Sequence, residues 1–358
     1  MELILAPEIL KTYGYTKENV IVKQIGSGLI NRTYLLSPLS EDKQYILQHI
    51  NTTVFESPEA IANNLKAIAD YLSKNYPSYN FIKPILTLNG EEMALVNGEY
   101  WRMLPFVKDT ISLDVLSNPK QAYEAAKQFG KLTRLLNYFD ASTLKQTIVG
   151  FHDLNLRYEQ FVLALNQTTK QLKGLAKIEI DFAKDHKYVL DYYNSFKQGK
   201  DFPDRVMHHD TKISNVLLDE STYEGICVID LDTIMPGKFI SDLGDMMRTY
   251  LCPFSENETD LGKIKIRLDY FEATIKGYLS EMKTILTNTE KELILFSGKY
   301  IIYMQALRFL TDFLNGNIYY PANYFTQNLD RAKNQFKLLH ELSLNEKELQ
   351  DIIKENLA

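Results

Sequence analysis

The chain changes character once. Between about residues 19 and 107 it reads as short strands, and beyond 107 it reads almost entirely as helices. The phrases NVIVKQIG, RTYLLSP, KQYILQHI, FIKPILTL, EMALVNG and EYWRMLPFV are rich in β-branched and aromatic residues. Asn89-Gly90 and Asn97-Gly98 punctuate them, and such pairs suit tight hairpin turns because both central positions need a left-handed backbone. One helix is predicted among these strands, over 57–73, with Ser57 as cap, Pro58 in the first turn and Ile61, Leu65, Ile68 and Leu72 on one face. Past 107, Ala122, Ala125, Ala126, Phe129, Leu132, Leu136 and Phe139 recur at helical spacing, and further helices are predicted over 153–195 and 260–355. At 358 residues the chain exceeds the usual size of a single core, so two lobes or domains are expected.

The segment 208–245 carries the chemistry. It reads HHDTKISNVLLDESTYEGICVIDLDTIMPGKFISDLGD. Asp210, Lys212 and Asn215 share one short polar loop, and Asp230 and Asp232 close an apolar run. The turn residues Glu220, Ser221 and Gly225 predict a hairpin that brings Asn215, before its first strand, close to Asp230, after its second. These residue types suit phosphoryl transfer, which depends on positioning and charge neutralisation more than on covalent chemistry. Asp210 is placed to take a proton from a hydroxyl, and Lys212 to lie against the transferring phosphate. Asn215 and Asp230 are hard oxygen ligands for Mg²⁺. Of His208 and His209, one is expected to be a structural hydrogen-bonder that holds the loop.

The pattern H-x-D-x-K-x-x-N, followed fifteen residues later by Asp230, resembles the catalytic loop of the protein-kinase-like superfamily, in its aminoglycoside phosphotransferase and choline kinase branch. Closer still, HHDTKISNVLLD with VIDLDTIMPG and DLGDMMR resembles the N-acetylhexosamine 1-kinases, which phosphorylate the anomeric hydroxyl of a sugar. The resemblance implies an α+β, two-lobed protein-kinase-like fold with a small β-rich N-lobe and a large, mainly helical C-lobe. It places nucleotide binding in 1–107 and catalysis with substrate binding in 108–358. It also implies ATP and Mg²⁺ as cofactors and a small-molecule sugar as substrate. Asp242 and Asp245 would brace the catalytic loop, and Asp232 would either bind a second Mg²⁺ or cap a turn.

With that loop in place, Gly26-Ser27-Gly28 between two strands becomes the expected nucleotide-binding loop, because glycine lets backbone amides approach phosphates. Asn31 and Arg32 would add contacts. The next strand departs from the family pattern: Gln48 and His49 stand where kinases carry a lysine. Gln48 could offer a neutral hydrogen bond, with Lys43 or Arg32 providing charge. Residues 101–107, WRMLPFV, read as the inter-lobe hinge, with Met103 and Val107 beside adenine. Arg308 and Tyr319 are the expected sugar ligands, set against the plainer reading of Arg308 and Asp312 as an i,i+4 surface pair. His152, in the phrase Gly150-Phe151-His152-Asp153 followed by Arg157, is a second substrate candidate.

Composition narrows the alternatives. A net charge of −6 argues against nucleic acid as main partner. No stretch approaches the length needed to cross a bilayer. The N-terminal MELILAPEIL lacks a basic region before its apolar run, so no signal peptide is expected. Cys227 and Cys252 have no metal-ligand spacing and read as core thiols in a reducing compartment. The expectation is a cytoplasmic soluble enzyme, monomeric or homodimeric. Kinases for choline, homoserine, methylthioribose or an aminoglycoside are the alternatives, followed by an inactive nucleotide-binding module. A protein kinase is disfavoured by the want of an activation-segment phrase after Asp230.

Overall fold

The computed structural model describes residues 6–25 and 31–358. The expected glycine loop, Gly26, Ser27 and Gly28, lies outside the described residues. The small lobe is an antiparallel sheet of β1 (Val20–Ile25), β2 (Arg32–Pro38), β3 (Tyr45–His49), β4 (Ala94–Val96) and β5 (Glu99–Pro105), in the order β1-β2-β3-β5-β4. Side chains alternate across a sheet, so parity decides what each face does. Tyr34, Leu36, Leu47, Trp101 and Met103 share one face and form a small core with Ile9 and Leu10 of the helix Pro7–Thr12. The other parity puts Thr33, Gln48 and Arg102 in one row, because Thr33 pairs with Gln48 and Gln48 with Arg102.

Asn97 (φ 53°) and Gly98 (φ 81°) join β4 to β5 as their turn chemistry requires. FIKPILTL does not form the predicted strand. Only Ile85 reaches the sheet, through a bridge to Met103, and Pro84 beside it has no amide hydrogen to give a ladder. Asn89-Gly90 therefore closes a local loop, in which the Thr87 amide donates to Glu91 O at 2.9 Å, and links no two strands. The predicted helix spans Pro58–Asn75 and buries Ile61, Leu65, Ile68 and Leu72. Ser57 takes the N-cap position, but its side chain makes no capping bond. The buried face of this helix joins the core of the large lobe, not the core under the sheet.

The large lobe is helical around two small sheets. β6 (Thr110–Ile111) lines up in one of them; β7 (Arg205–Met207) begins the other. β8 (Val216–Asp219) and β9 (Gly225–Val228) complete the first, ordered β6-β8-β9, and β10 (Met235–Gly237) pairs with β7. The stretch predicted as helical over 153–195 is divided into Leu154–Gln167, Lys170–Leu175, Lys177–Asp185 and Tyr188–Phe196. The helix Ile294–Leu314 packs against Ile240–Tyr250 and Gln327–Leu344. At its crossing with Ile240–Tyr250, Gly244 lies so near the Ser297 carbonyl that any Cβ would collide with it, so the close approach requires glycine. Among the described residues no helix is long and apolar enough to cross a membrane. Cys227 and Cys252 are buried free thiols.

Candidate active site

The catalytic loop follows β7 and is fixed by its backbone. The Asp242 carboxylate accepts the amides of His208 (3.0 Å) and His209 (2.7 Å), and Asp245 Oδ2 accepts that of Thr211 (2.8 Å). Both acids belong to the helix Ile240–Tyr250, which its tight crossing at Gly244 holds in place. Burial pushes the Asp242 carboxyl up to about 6. His208 Nε2 donates to Ile229 O (2.9 Å), and Nδ1 accepts the Asp210 amide (3.3 Å), so its bonds define one tautomer. His208 is thus the structural hydrogen-bonder that the pattern implied.

Lys212 Nζ (2.8 Å) and Asn215 Nδ2 (2.9 Å) both donate to Asp210 Oδ2, and Asn215 Nδ2 also reaches Asp210 O (2.8 Å). Among the described residues Oδ1 of Asp210 takes no such donor, so it is the oxygen open to a hydroxyl. Burial pushes the Asp210 carboxyl up, but Lys212, with His208 and Asn215, more than offsets this, and the group stays below the usual carboxylate range.

The β8–β9 hairpin forms as predicted, with Val216 opposite Val228 and the Ile229 amide bonded to Asn215 O at 2.9 Å. It sets Asn215 and Asp230 on one side of the loop. Asp230 has a left-handed backbone (φ 58°, ψ 56°), which among non-glycine residues asparagine and aspartate adopt most readily. Burial and the charges of Asp232 and Asp210 push it up to about 6. Its surface remains open to cleft water, which tempers the burial effect, but the two neighbouring carboxylates keep the direction upward. A carboxylate held among others favours a cation, and Asn215 keeps its amide oxygen for the same purpose. Among the described residues no group of three or more His, Cys, Asp or Glu side chains forms a closed metal cage. Few protein ligands with room for phosphate oxygens and water is what Mg²⁺ takes, so the donor set fits that ion.

On the sheet side the structure corrects three expectations. Arg32 has the parity of Trp101 and His49, on the sheet face away from the Gln48 row, and pairs with Glu99 at 3.5 Å. Lys43 is exposed and precedes β3. Met103 sends its side chain into the small core and gives its carbonyl to the Ile85 amide (2.7 Å), so strand alternation removes it from the cleft. Val107 stands at the predicted crossing between lobes, with its carbonyl accepting Thr110 Oγ1 at 2.8 Å.

The residue that sequence reasoning missed is Arg102. It is 1% exposed, and its Nε (3.0 Å) and Nη2 (2.7 Å) both donate to Gln48 Oε1. Its Nη1 forms an ion pair with Asp232 Oδ1. Asp232 Oδ2 accepts Asn31 Nδ2 at 2.7 Å, and Asn31 Oδ1 accepts the Asn51 amide at 3.0 Å. Asp232 is thus engaged between sheet and loop, ion-paired through Oδ1 and hydrogen-bonded through Oδ2. The signal was an arginine in mid-strand in EYWRMLPFV, between two core positions.

The acceptor candidates from 150–157 and 305–320 come together. The Arg308 guanidinium lies 5.5 Å from the Phe151 ring centroid, 5.4 Å from that of Tyr320 and 6.0 Å from that of Tyr319. Phe151 stacks on His152 at 4.5 Å. Ser241 Oγ bonds both His152 Nδ1 and His209 Nδ1, tying this cluster to the catalytic loop. Arg157 donates to Gly150 O (2.9 Å) and Phe151 O (3.1 Å) and so supports the turn. The surface pair of Arg308 with Asp312 does not form. Asp312 instead accepts the amides of Ile318 (3.0 Å), Tyr319 (2.8 Å) and Tyr320 (2.9 Å) at the helix end. A cavity of about 570 Å³ adjoins the loop on the His209 side, between His152, Ser241, Lys238 and Tyr300, but Asp210 does not line it.

Residues 21–270 match the phosphotransferase enzyme family. Among solved structures, a microcompartment-associated aminopropanol kinase superposes with a TM-score of 0.65 at 14% identity, covering 96% of this chain and 97% of its own. A spectinomycin phosphotransferase bound to ADP and spectinomycin gives 0.62 at 15% identity, covering 97% and 100%. Choline kinase from Cryptosporidium parvum Iowa II gives 0.51 at 18% identity, covering 98% and 97%. At these identities the structural likeness establishes the fold, and the family match spans well over half of the chain. With its small antiparallel sheet, helical C-lobe and HHDTKISN loop, the chain belongs to the phosphotransferase enzyme family, within the protein-kinase-like superfamily.

Proposed function

We propose that the protein transfers the γ-phosphoryl group of ATP to the anomeric hydroxyl of an N-acetylhexosamine, giving the sugar 1-phosphate. Residues 1–107 serve as the nucleotide-binding lobe and 108–358 as the catalytic and acceptor lobe. The observation that carries the reaction type is the convergence of Lys212 and Asn215 on one oxygen of Asp210, with Asp230 alongside. Asp210 Oδ1 orients the acceptor hydroxyl and takes its proton. Lys212 Nζ, 2.8 Å from Asp210, is within reach of the transferring phosphoryl group and offsets its charge. Asn215 and Asp230 would hold Mg²⁺, which neutralises phosphate charge when bound.

The acceptor class is argued from charge. Arg308 is the cation of the aromatic cluster, with Arg157 on the turn beside it; burial first, and these guanidinium charges to a lesser degree, hold the His152 imidazole well below its ordinary value. The carboxylate nearest in sequence to Arg308, Asp312, makes no ion pair with it and is taken by three backbone amides and the Asn328 side chain. Aminopropanol and choline are cations at neutral pH, and such acceptors are repelled by guanidinium groups. A neutral polyol is not. Arg308, Tyr319 and His152 are the residues we assign to sugar hydroxyls and the acetamido group.

The test is a panel of hexoses, N-acetylhexosamines, choline and aminoglycosides with ATP and Mg²⁺, followed by ADP release. N-acetylhexosamines should be consumed with formation of an acid-labile sugar 1-phosphate. Turnover of choline or an aminoglycoside with no sugar used would overturn the acceptor and leave the kinase standing. No ADP release with any of them, in a protein that also binds no ATP, would overturn the whole reading.

A further inference from the structure

We propose that Arg102 is the phosphate-side cation of this cleft, carried on β5 in place of the β3 lysine the chain lacks, with Gln48 and Asp232 holding its guanidinium. The inference rests on the kinase reading and deepens it.

Thr33, Gln48 and Arg102 stand opposite one another on three neighbouring strands and share a face. Gln48 occupies the β3 position where a lysine is expected, and its two ends are both used. Its amide nitrogen donates to Thr33 Oγ1 at 3.2 Å, which turns Oε1 toward Arg102, where it accepts two N–H groups. Gln48 is therefore a fixed acceptor whose partner brings the charge from the next strand.

Arg102 pairs with Asp232, two residues beyond Asp230, and so stands beside the cleft end of β9. The side chains of Arg102 and Asp232 are 2% and 1% exposed, so the pair is fixed within the fold and its charge acts from inside the protein. A buried ion pair of this kind adds little to stability over apolar packing of the same volume, which leaves its location to explain it. Two of the guanidinium's five N–H groups are hydrogen-bonded among the described residues, both to Gln48 Oε1, and Nη1 is ion-paired with Asp232. The planar fork suits phosphate oxygens and cannot lose its charge. Asp232, bound at both oxygens by Arg102 and Asn31, stands in for the helical glutamate that accompanies the lysine in kinases. It is a holding carboxylate.

Calorimetry of ATP and adenosine binding, with Mg²⁺, tests this on wild type, Arg102→Met and the double variant Gln48→Lys/Arg102→Met. Arg102→Met should weaken ATP at least about tenfold, about 1.4 kcal/mol, with adenosine affinity unchanged. The double variant, which returns the cation to β3, should recover most of the ATP affinity. Equal losses for ATP and adenosine would mean that Arg102 only supports the sheet, and an unchanged ATP affinity would mean that its charge faces no phosphate; either overturns the inference. Failure of rescue with a folded protein, shown by intact adenosine binding, counts against it too. Wild type that binds ATP but phosphorylates no sugar would sink the proposed acceptor alone, whereas wild type that binds no ATP would sink both.

Discussion

The two walls of the cleft are built by different rules. On the helical side, Asp210, Lys212 and Asn215 lie within six residues, and their contacts are local to one loop. On the sheet side, Thr33, Gln48 and Arg102 come from three strands, and Asp232 reaches them from the far lobe. A local constellation can be altered one residue at a time. A cross-strand row depends on register, and a slip of one residue would turn every member to the other face.

The contrast predicts separable defects. The largest is expected on the helical wall: Asp210→Asn should lower turnover roughly 10²–10⁴-fold while leaving ATP affinity within about twofold, by calorimetry beside initial rates. Near-normal turnover would remove Asp210 as base and with it the difference between the walls. Next is Asp242→Ala, which strips the acceptor from two backbone amides of the loop. It should cost about 2–3 kcal/mol in denaturant unfolding and lower turnover without altering the ATP-to-adenosine affinity ratio. A shift in that ratio would show that the walls are not independent.

A pH effect should follow from Asp230. Its carboxyl is raised to about 6 from an ordinary 3.8, so the folded protein holds this proton more tightly than the unfolded chain. The stability it contributes is present below about 3.8 and is lost as pH rises through about 6. A bound cation reverses that loss, so the rise in Tm on adding Mg²⁺ and ATP should be larger at about pH 7.5 than at about pH 5, and Asp230→Asn should flatten the dependence. An equal rise at both values would place the cation elsewhere. The smallest effect belongs to Thr33→Val, which frees the Gln48 amide: less than about 1 kcal/mol in ATP affinity, with turnover at saturating ATP untouched. A turnover defect there would tie the far strand directly to the chemistry.

The same contrast explains what was legible in the sequence. The helical wall could be read from eight consecutive residues because the motif, its loop and its hairpin are contiguous, and β8 and β9 stand where the apolar runs placed them. The change from strands to helices near 107 was likewise visible. Arg102 was not, because its meaning lies in pairing with Gln48, 54 positions away, and no local pattern encodes a partner at that range. Arg32 was misplaced for the same reason: proximity in sequence to the glycine turn suggested the cleft, while parity put it with His49 and Trp101. FIKPILTL failed because its apolar content outweighed Pro84 in the reading, though not in the sheet. The Arg308–Asp312 spacing fitted an ion pair, but three unsatisfied amides past the helix end claimed the carboxylate first.

That last arrangement separates anchoring from display. Asp312 is 5% exposed and fastens the backbone of residues 318–320, while the side chain of Tyr319 on the same stretch stands 63% exposed. The loop is a mount with an interchangeable face. Exchanging Tyr319 alters what is presented and leaves its position alone, whereas exchanging Asp312 releases the mount, so the surface chemistry of this loop can vary at 319 only while 312 is kept.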